Sequence, residues 1–225
     1  MINILQKLKD TINYFFFKKT ISEKFIFNLK VDITKIKYFL KMENTLDRYN
    51  FIWGGNWDKK KLILSRYRSC NINYNSMFQI YKENKKYNEC DEYKIKSKQI
   101  LAGRKTPRGN NLTELKNYFK SINKLKNSLS KFGYKSQKNL KNKNENDEIG
   151  VVIGRNGEII KLEDNFGGTH RFALCKILKI KKIVVSVKAI HGSLLKKDDI
   201  KKIISKNDNL ILTSLIKSKI SLKNK

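Results

Sequence analysis

Apolar and polar positions change character near residue 148. Between 148 and 162 two short apolar runs, EIGVVIG and EIIKL, flank the turn sequence Arg155-Asn156-Gly157. An Asn-Gly pair between such runs predicts a β-hairpin. From Thr169 to about Lys179 the apolar residues recur at helical spacing. KKIVVSVKAIH then returns to a strand ending at His191. The predicted order is strand, strand, loop, helix, strand.

Upstream the pattern is mostly helical. NSMFQIYKENKKY and NLTELKNYFKSINKLKNSLSKFG, both within 74–132, show helical periodicity. Asn111 or Thr113 can cap the start of the second, and Gly133 can end it. Pro107 sits between them in a basic loop, GRKTPRGNN. FIFNLKVDI at 25–33 alternates and reads as a strand. Residues 2–17 carry Leu5, Leu8, Ile12, Phe15 and Phe16 at helical spacing among lysines, a basic amphipathic helix. FIWGGNWDKKK at 51–61 places a Gly54-Gly55 turn between the two tryptophans. KSQKNLKNKNENDE at 135–148 is polar and reads as a flexible connection. The tail after 192 reads as one or two helices.

These readings divide the chain into four segments: 1–49, 50–147, 148–192 and 193–225. The expected fold class is α+β. A small mixed sheet over 148–191 should carry the 169–179 helix on one face, with the 74–132 helices nearby.

Composition changes this picture in one respect. The net charge of +30 ordinarily points to an anionic partner, whether nucleic acid, an acidic membrane or a phosphorylated ligand. Of the 50 basic residues, however, 43 are Lys and 7 are Arg. Forked recognition of phosphates and bases favours Arg. Lys, Asn, Ile, Phe and Tyr all have A/T-rich codons, so base-composition bias accounts for part of the charge. Nucleic acid is therefore a weak candidate partner. No apolar run approaches the length of a membrane span, and MINILQKLKD lacks the pattern of a secretion signal. Cys70, Cys90 and Cys175 fit no metal spacing and are odd in number. A cytoplasmic location is expected.

The candidate chemistry lies in NFGGTHRFALCKILKI, residues 165–180. Glycines entering a helix expose backbone N–H groups and permit close approach of an anion. Gly167 and Gly168 would supply that backbone. Thr169 could cap the helix or give a hydroxyl to a phosphate. His170 could donate a hydrogen bond or carry a proton, and Arg171 could fork onto a phosphate. The alternative is a glycine turn, a threonine cap and two wet polar side chains.

FGGTHRFALCKILKIKKIVVSV resembles the signature of the ParB/sulfiredoxin superfamily. Sulfiredoxins carry Phe-Gly-Gly-Cys-His-Arg at this point, and VVIGRNGEII matches the hairpin before it. WGGNWD, GY, EIGVVIGRNGE, HR and a strand ending in His are similar to uncharacterised ParB-like proteins found among surface-polysaccharide genes. Thr169 replaces the sulfiredoxin nucleophile, so sulfinic acid reduction is not expected. Many ParB-like relatives have Asp where this chain has Gly167. No helix-turn-helix follows 192, which argues against a DNA-reading partition protein.

The resemblance implies a nucleotide-binding protein, with ATP or CTP and Mg²⁺ as cofactors. Phosphoryl transfer to a small hydroxyl compound or sugar is the implied reaction class, and it needs a carboxylate base. Glu163, Asp164 and Asp58 are candidates. A basic nucleic-acid or membrane-surface module is the alternative, and a retained fold without activity is the third. If the last strand ran parallel to the one before the loop, His170 and His191 would border one pocket, within about 12 Å.

Overall fold

A computed structural model describes residues 28–41, 52–141, 147–163 and 167–195. The expected helix at 2–17 and the tail helices beyond 195 lie outside the described residues. So does Asp164.

The described chain is an α+β fold built on one seven-stranded mixed sheet. In chain order its elements are β1 (Asn28–Asp32), β2 (Tyr38–Leu40), β3 (Ile52–Trp53), β4 (Leu62–Ile63), α1 (Tyr67–Cys70), α2 (Ile72–Tyr81), α3 (Asp91–Leu101), α4 (Leu112–Phe132), β5 (Ile149–Ile153), β6 (Ile159–Leu162), α5 (Thr169–Ile177) and β7 (Lys182–His191). The strand order is β1-β7-β5-β6-β2-β4, with β3 also pairing β7. The 148–191 unit supplies the centre. The 1–49 and 50–147 segments supply both edges.

The predicted hairpin forms as β5 and β6 in antiparallel register, Val151 opposite Lys161. β7 returns parallel to β5 after the helix. Ile149, Val151 and Ile153 project toward a helical layer containing Tyr74, Met77, Leu115, Phe119 and Phe172. Burying each such side chain stabilises by about 1.5–3 kcal/mol. Val152, Ile160 and Leu162 face the other way, onto Trp53 and Trp57.

α4 shows why the sequence places its ends well. Asn111 accepts from Glu114 N–H at 2.8 Å, and Gly133 closes the helix at φ 68°. The cap is Asn111 and not Thr113. The 135–148 connection is not free at its ends. Gln137 and Glu148 are buried, and Gln137 N–H donates to Glu148 Oε1 at 2.6 Å. A polar sequence here encodes internal hydrogen bonds and not only solvation.

Candidate functional site

The glycine loop crosses the start of β5. Gly167 and Gly168 have φ of 75° and 78°, left-handed values that disfavour side chains. A Cβ on Gly168 would come within 2.7 Å of Ile149 Cα. The second glycine is thus fixed by conformation and by close packing. Gly168 is the N-cap of α5 and no side chain caps the helix. Thr169, expected as a cap, sits instead in the first turn. It is 5% exposed, and its Oγ1 has no hydrogen-bond partner among the described residues. A buried hydroxyl left unpaired costs about 1–3 kcal/mol, and the described residues supply no partner for this one. Thr169 lines a cavity of about 360 Å³ together with Arg108, Tyr118, His170 and Arg171.

His170 is held by residues far away in the sequence. Its Nε2–H donates to Glu92 Oε2 at 2.7 Å. The Tyr118 hydroxyl lies 3.2 Å from its Nδ1 and 3.3 Å from its Nε2. Glu92 sits in the first turn of α3 and is fully buried. Its N–H donates to Ser76 Oγ at 2.8 Å. Its second oxygen has no hydrogen-bond partner among the described residues and lies 3.7 Å from Arg108 Nε. Arg108 also stands over the Tyr118 ring, 5.0 Å from its centroid. The basic loop around Pro107 therefore reaches into the site. Glu92, Tyr118 and Arg108 were not singled out from sequence.

Arg171 is partly committed. Its Nη2 donates to the Asp147 backbone oxygen and to Asp147 Oδ1 at 3.1 Å. Its Nη1 lies 3.7 Å from Glu148 Oε2 and makes no hydrogen bond among the described residues. Glu148 accepts from Tyr134 O–H. Burial, and then that bond, raise the Tyr134 pKa far above its ordinary value. Cys175, one turn beyond Arg171, is fully buried. Burial pushes its thiol up to about 12, against the opposing pull of Arg171. It is a core residue and no nucleophile.

The second histidine is elsewhere. β6 runs antiparallel to β5 and β7 runs parallel to it. The loop after β6 thus lies at the edge where β5 and β7 begin, and His191 lies at the edge where they end. The expected shared pocket does not exist, because the strand preceding the loop and the last strand are antiparallel. A bulge in β7 between Val187 and Ala189 reverses its facing, so that Ala189 joins the tryptophan side while Ile190 faces the helices. His191 lies 5.7 Å from Trp57, ring centroid to ring centroid. Its Nδ1 accepts from Ser193 Oγ–H at 2.8 Å and Ser193 N–H at 3.1 Å. Its Nε2–H donates to Gly55 O at 2.9 Å.

Asp58 is also at that far edge, 3.8 Å from His191 Nε2. It accepts from Arg155 N–H at 3.0 Å and from Nε and Nη2 at 2.8 and 2.7 Å. Burial opposes its charge, yet the Arg155 hydrogen bonds outweigh burial and hold its carboxyl below the usual value. Asp58 and His191 are therefore interior fastenings of the WGGNWD loop and not partners of the glycine loop. Glu163 is described at the end of β6, where its N–H donates to Leu40 O at 3.1 Å.

Among the described residues no group of three or more His, Cys, Asp or Glu could hold a metal ion. No described helix is long and apolar enough to cross a membrane. Comparison with family models, with curated proteins and with solved structures finds no match.

Proposed function

We propose that the cavity at Gly167–Arg171 binds the phosphates of a nucleotide, ATP or CTP, in a ParB/sulfiredoxin-like arrangement. The observation that carries this reading is the buried Thr169 hydroxyl at the start of α5, which has no hydrogen-bond partner among the described residues. Free helix N–H groups and the helix dipole at that point favour an anion. Arg108 and Arg171, whose Nη1 makes no hydrogen bond among the described residues, would add charge-assisted donors. Mg²⁺ would arrive on the phosphates, where it neutralises charge in phosphoryl transfer. Transfer to a small hydroxyl compound or sugar, in surface carbohydrate metabolism, is the reaction class we assign to the site.

A titration of the purified protein with ATP, CTP and GTP, with and without Mg²⁺, tests the reading. Saturable binding of at least one, strengthened by Mg²⁺, is expected. Absence of binding by all three would refute it. A second reading rests on α4, whose exposed face aligns Lys116, Lys120, Lys124 and Lys131. That face would contact nucleic acid or an acidic membrane without catalysis. Such contacts weaken steeply with salt, and binding that is gone near physiological salt leaves the nucleotide reading in first place.

A further inference from the structure

Arg171 already holds an anion that belongs to the protein. Its Nη2 donates to the Asp147 backbone oxygen and to Asp147 Oδ1 at 3.1 Å. That carboxylate stands over the glycine loop, since a Cβ on Gly167 would lie 3.2 Å from Oδ1. Asp147 also lines the cavity, beside Gly167, Gly168, Thr169 and Arg171. Its neighbour Glu148 is held differently. Glu148 is 1% exposed and accepts from Tyr134 O–H and Gln137 N–H, so it is fastened from two sides. The Asp147 side chain is 50% exposed. An ion pair so open to water contributes little to stability, and the carboxylate can turn away at small cost.

Weak as it is, the pair fills the guanidinium edge that a ligand phosphate would need. It leaves another donor of the same cavity unused. Thr169 Oγ1, buried at the start of α5, has no hydrogen-bond partner among the described residues. A carboxylate presents two oxygens in one plane. A phosphate group presents three acceptor oxygens in a tetrahedral arrangement and can engage several donors of one cavity at once. A phosphate can therefore replace the carboxylate at Arg171 and gain contacts that the carboxylate does not make.

We propose that Asp147 is an internal competitor for the anion position, and that a phosphate-bearing ligand binds by displacing its carboxylate from Arg171. The proposal rests on the anion-site reading above and deepens it. The affinity of the site is then set by a side chain that occupies it in advance, and Asp147 is a determinant of ligand binding that opposes the ligand.

The test uses the full chain and inorganic pyrophosphate, in buffer stripped of divalent cations so that no metal bridges the anion to a carboxylate. Binding is measured by calorimetry at constant pH and ionic strength. Asp147→Asn keeps the side-chain shape and an oxygen acceptor but removes the charge. It should bind pyrophosphate about three- to tenfold more tightly than the parent. Asp147→Ala removes the acceptor as well and should gain at least as much, which gives a second measure if one variant folds poorly. Glu114→Gln removes one negative charge from an exposed position in the first turn of α4. It should change affinity by less than about twofold, because exposed charges are screened. Equal or weaker binding by both Asp147 variants would show that the carboxylate orients Arg171 for the ligand. That result overturns the proposal and leaves the anion site standing. A gain from Glu114→Gln as large as that from Asp147→Asn would reduce the effect to general repulsion and would overturn the proposal as well. If neither the parent nor the Asp147 variants bind pyrophosphate, the anion-site reading falls and the proposal falls with it.

Discussion

The two edges of the sheet hold nearly the same chemistry and use it differently. At one, Gly167-Gly168 accompanies His170, Arg171 and the carboxylates Glu92, Asp147 and Glu148. At the other, Gly54-Gly55 accompanies His191, Arg155 and Asp58. In the far cluster both nitrogens of His191 are bonded, and the Arg155–Asp58 pair is forked and internal. In the near cluster Thr169 Oγ1, Glu92 Oε1 and Arg171 Nη1 have no hydrogen-bond partner among the described residues, and Thr169 and Arg171 line a cavity. Residue type does not separate a structural fastening from a binding site here. Saturation of the polar atoms does.

The largest expected difference between the two edges concerns glycine. Gly168→Ala must adopt a left-handed φ and meet Ile149 at 2.7 Å. It should lose about 3 kcal/mol in urea unfolding. Gly55→Ala shares the positive φ of 82° but meets nothing within 4 Å, and should lose about 1–2 kcal/mol. Equal losses would mean that the loop does not press on β5.

Asp58→Asn should cost about 2 kcal/mol at neutral pH, because it leaves the Arg155 guanidinium without its ion partner. The pH profile follows from the direction of the Asp58 shift. A carboxyl with a lowered folded pKa contributes fully above its unfolded value, near the ordinary 3.8 of an aspartate. That contribution disappears as pH falls through the lower folded value. The gap between parent and variant should therefore narrow below about pH 4. A gap constant down to pH 2 would deny the pair its role.

Arg171→Ala should weaken nucleotide binding by about 1.5–2 kcal/mol, roughly 10–30-fold, through loss of a charge-assisted donor. The equivalent change at the other edge, Arg155→Ala, should lower stability while leaving the affinity of the folded protein within about twofold. Comparable loss of affinity in both would remove the distinction between the edges.

The sequence disclosed the centre of the fold because its strands are long enough to show a pattern. β5, β6 and β7 are apolar runs bounded by turn residues. β2, β3 and β4 have two or three residues each, too few for any period to register. The glycine loop was legible for its backbone, since two glycines before a helix have few other uses. Its surroundings were not. Glu92 lies 78 residues before His170 and reads as an acid favouring a helix N-terminus, which it also is. His191 was misplaced because strand direction decides the edge, and the hairpin before the loop makes β6, which enters the loop, run opposite to β5 and β7. The bulge at Lys188 then turned His191 toward the tryptophans, and nothing in KKIVVSVKAIH announces it.

We propose that the Thr169 hydroxyl, which has no hydrogen-bond partner among the described residues, takes a phosphate as its partner. Thr169→Val keeps the shape and removes only that atom's polarity. Without ligand the variant should be as stable as the parent, or more stable by up to about 1 kcal/mol, because an orphaned hydroxyl is no longer buried. With the nucleotide that the parent binds, the variant's affinity should fall about tenfold, as for loss of a hydrogen bond to a charged group. A variant that unfolds more readily and binds nucleotide as well as the parent would show that the hydroxyl serves the fold, and would contradict the account.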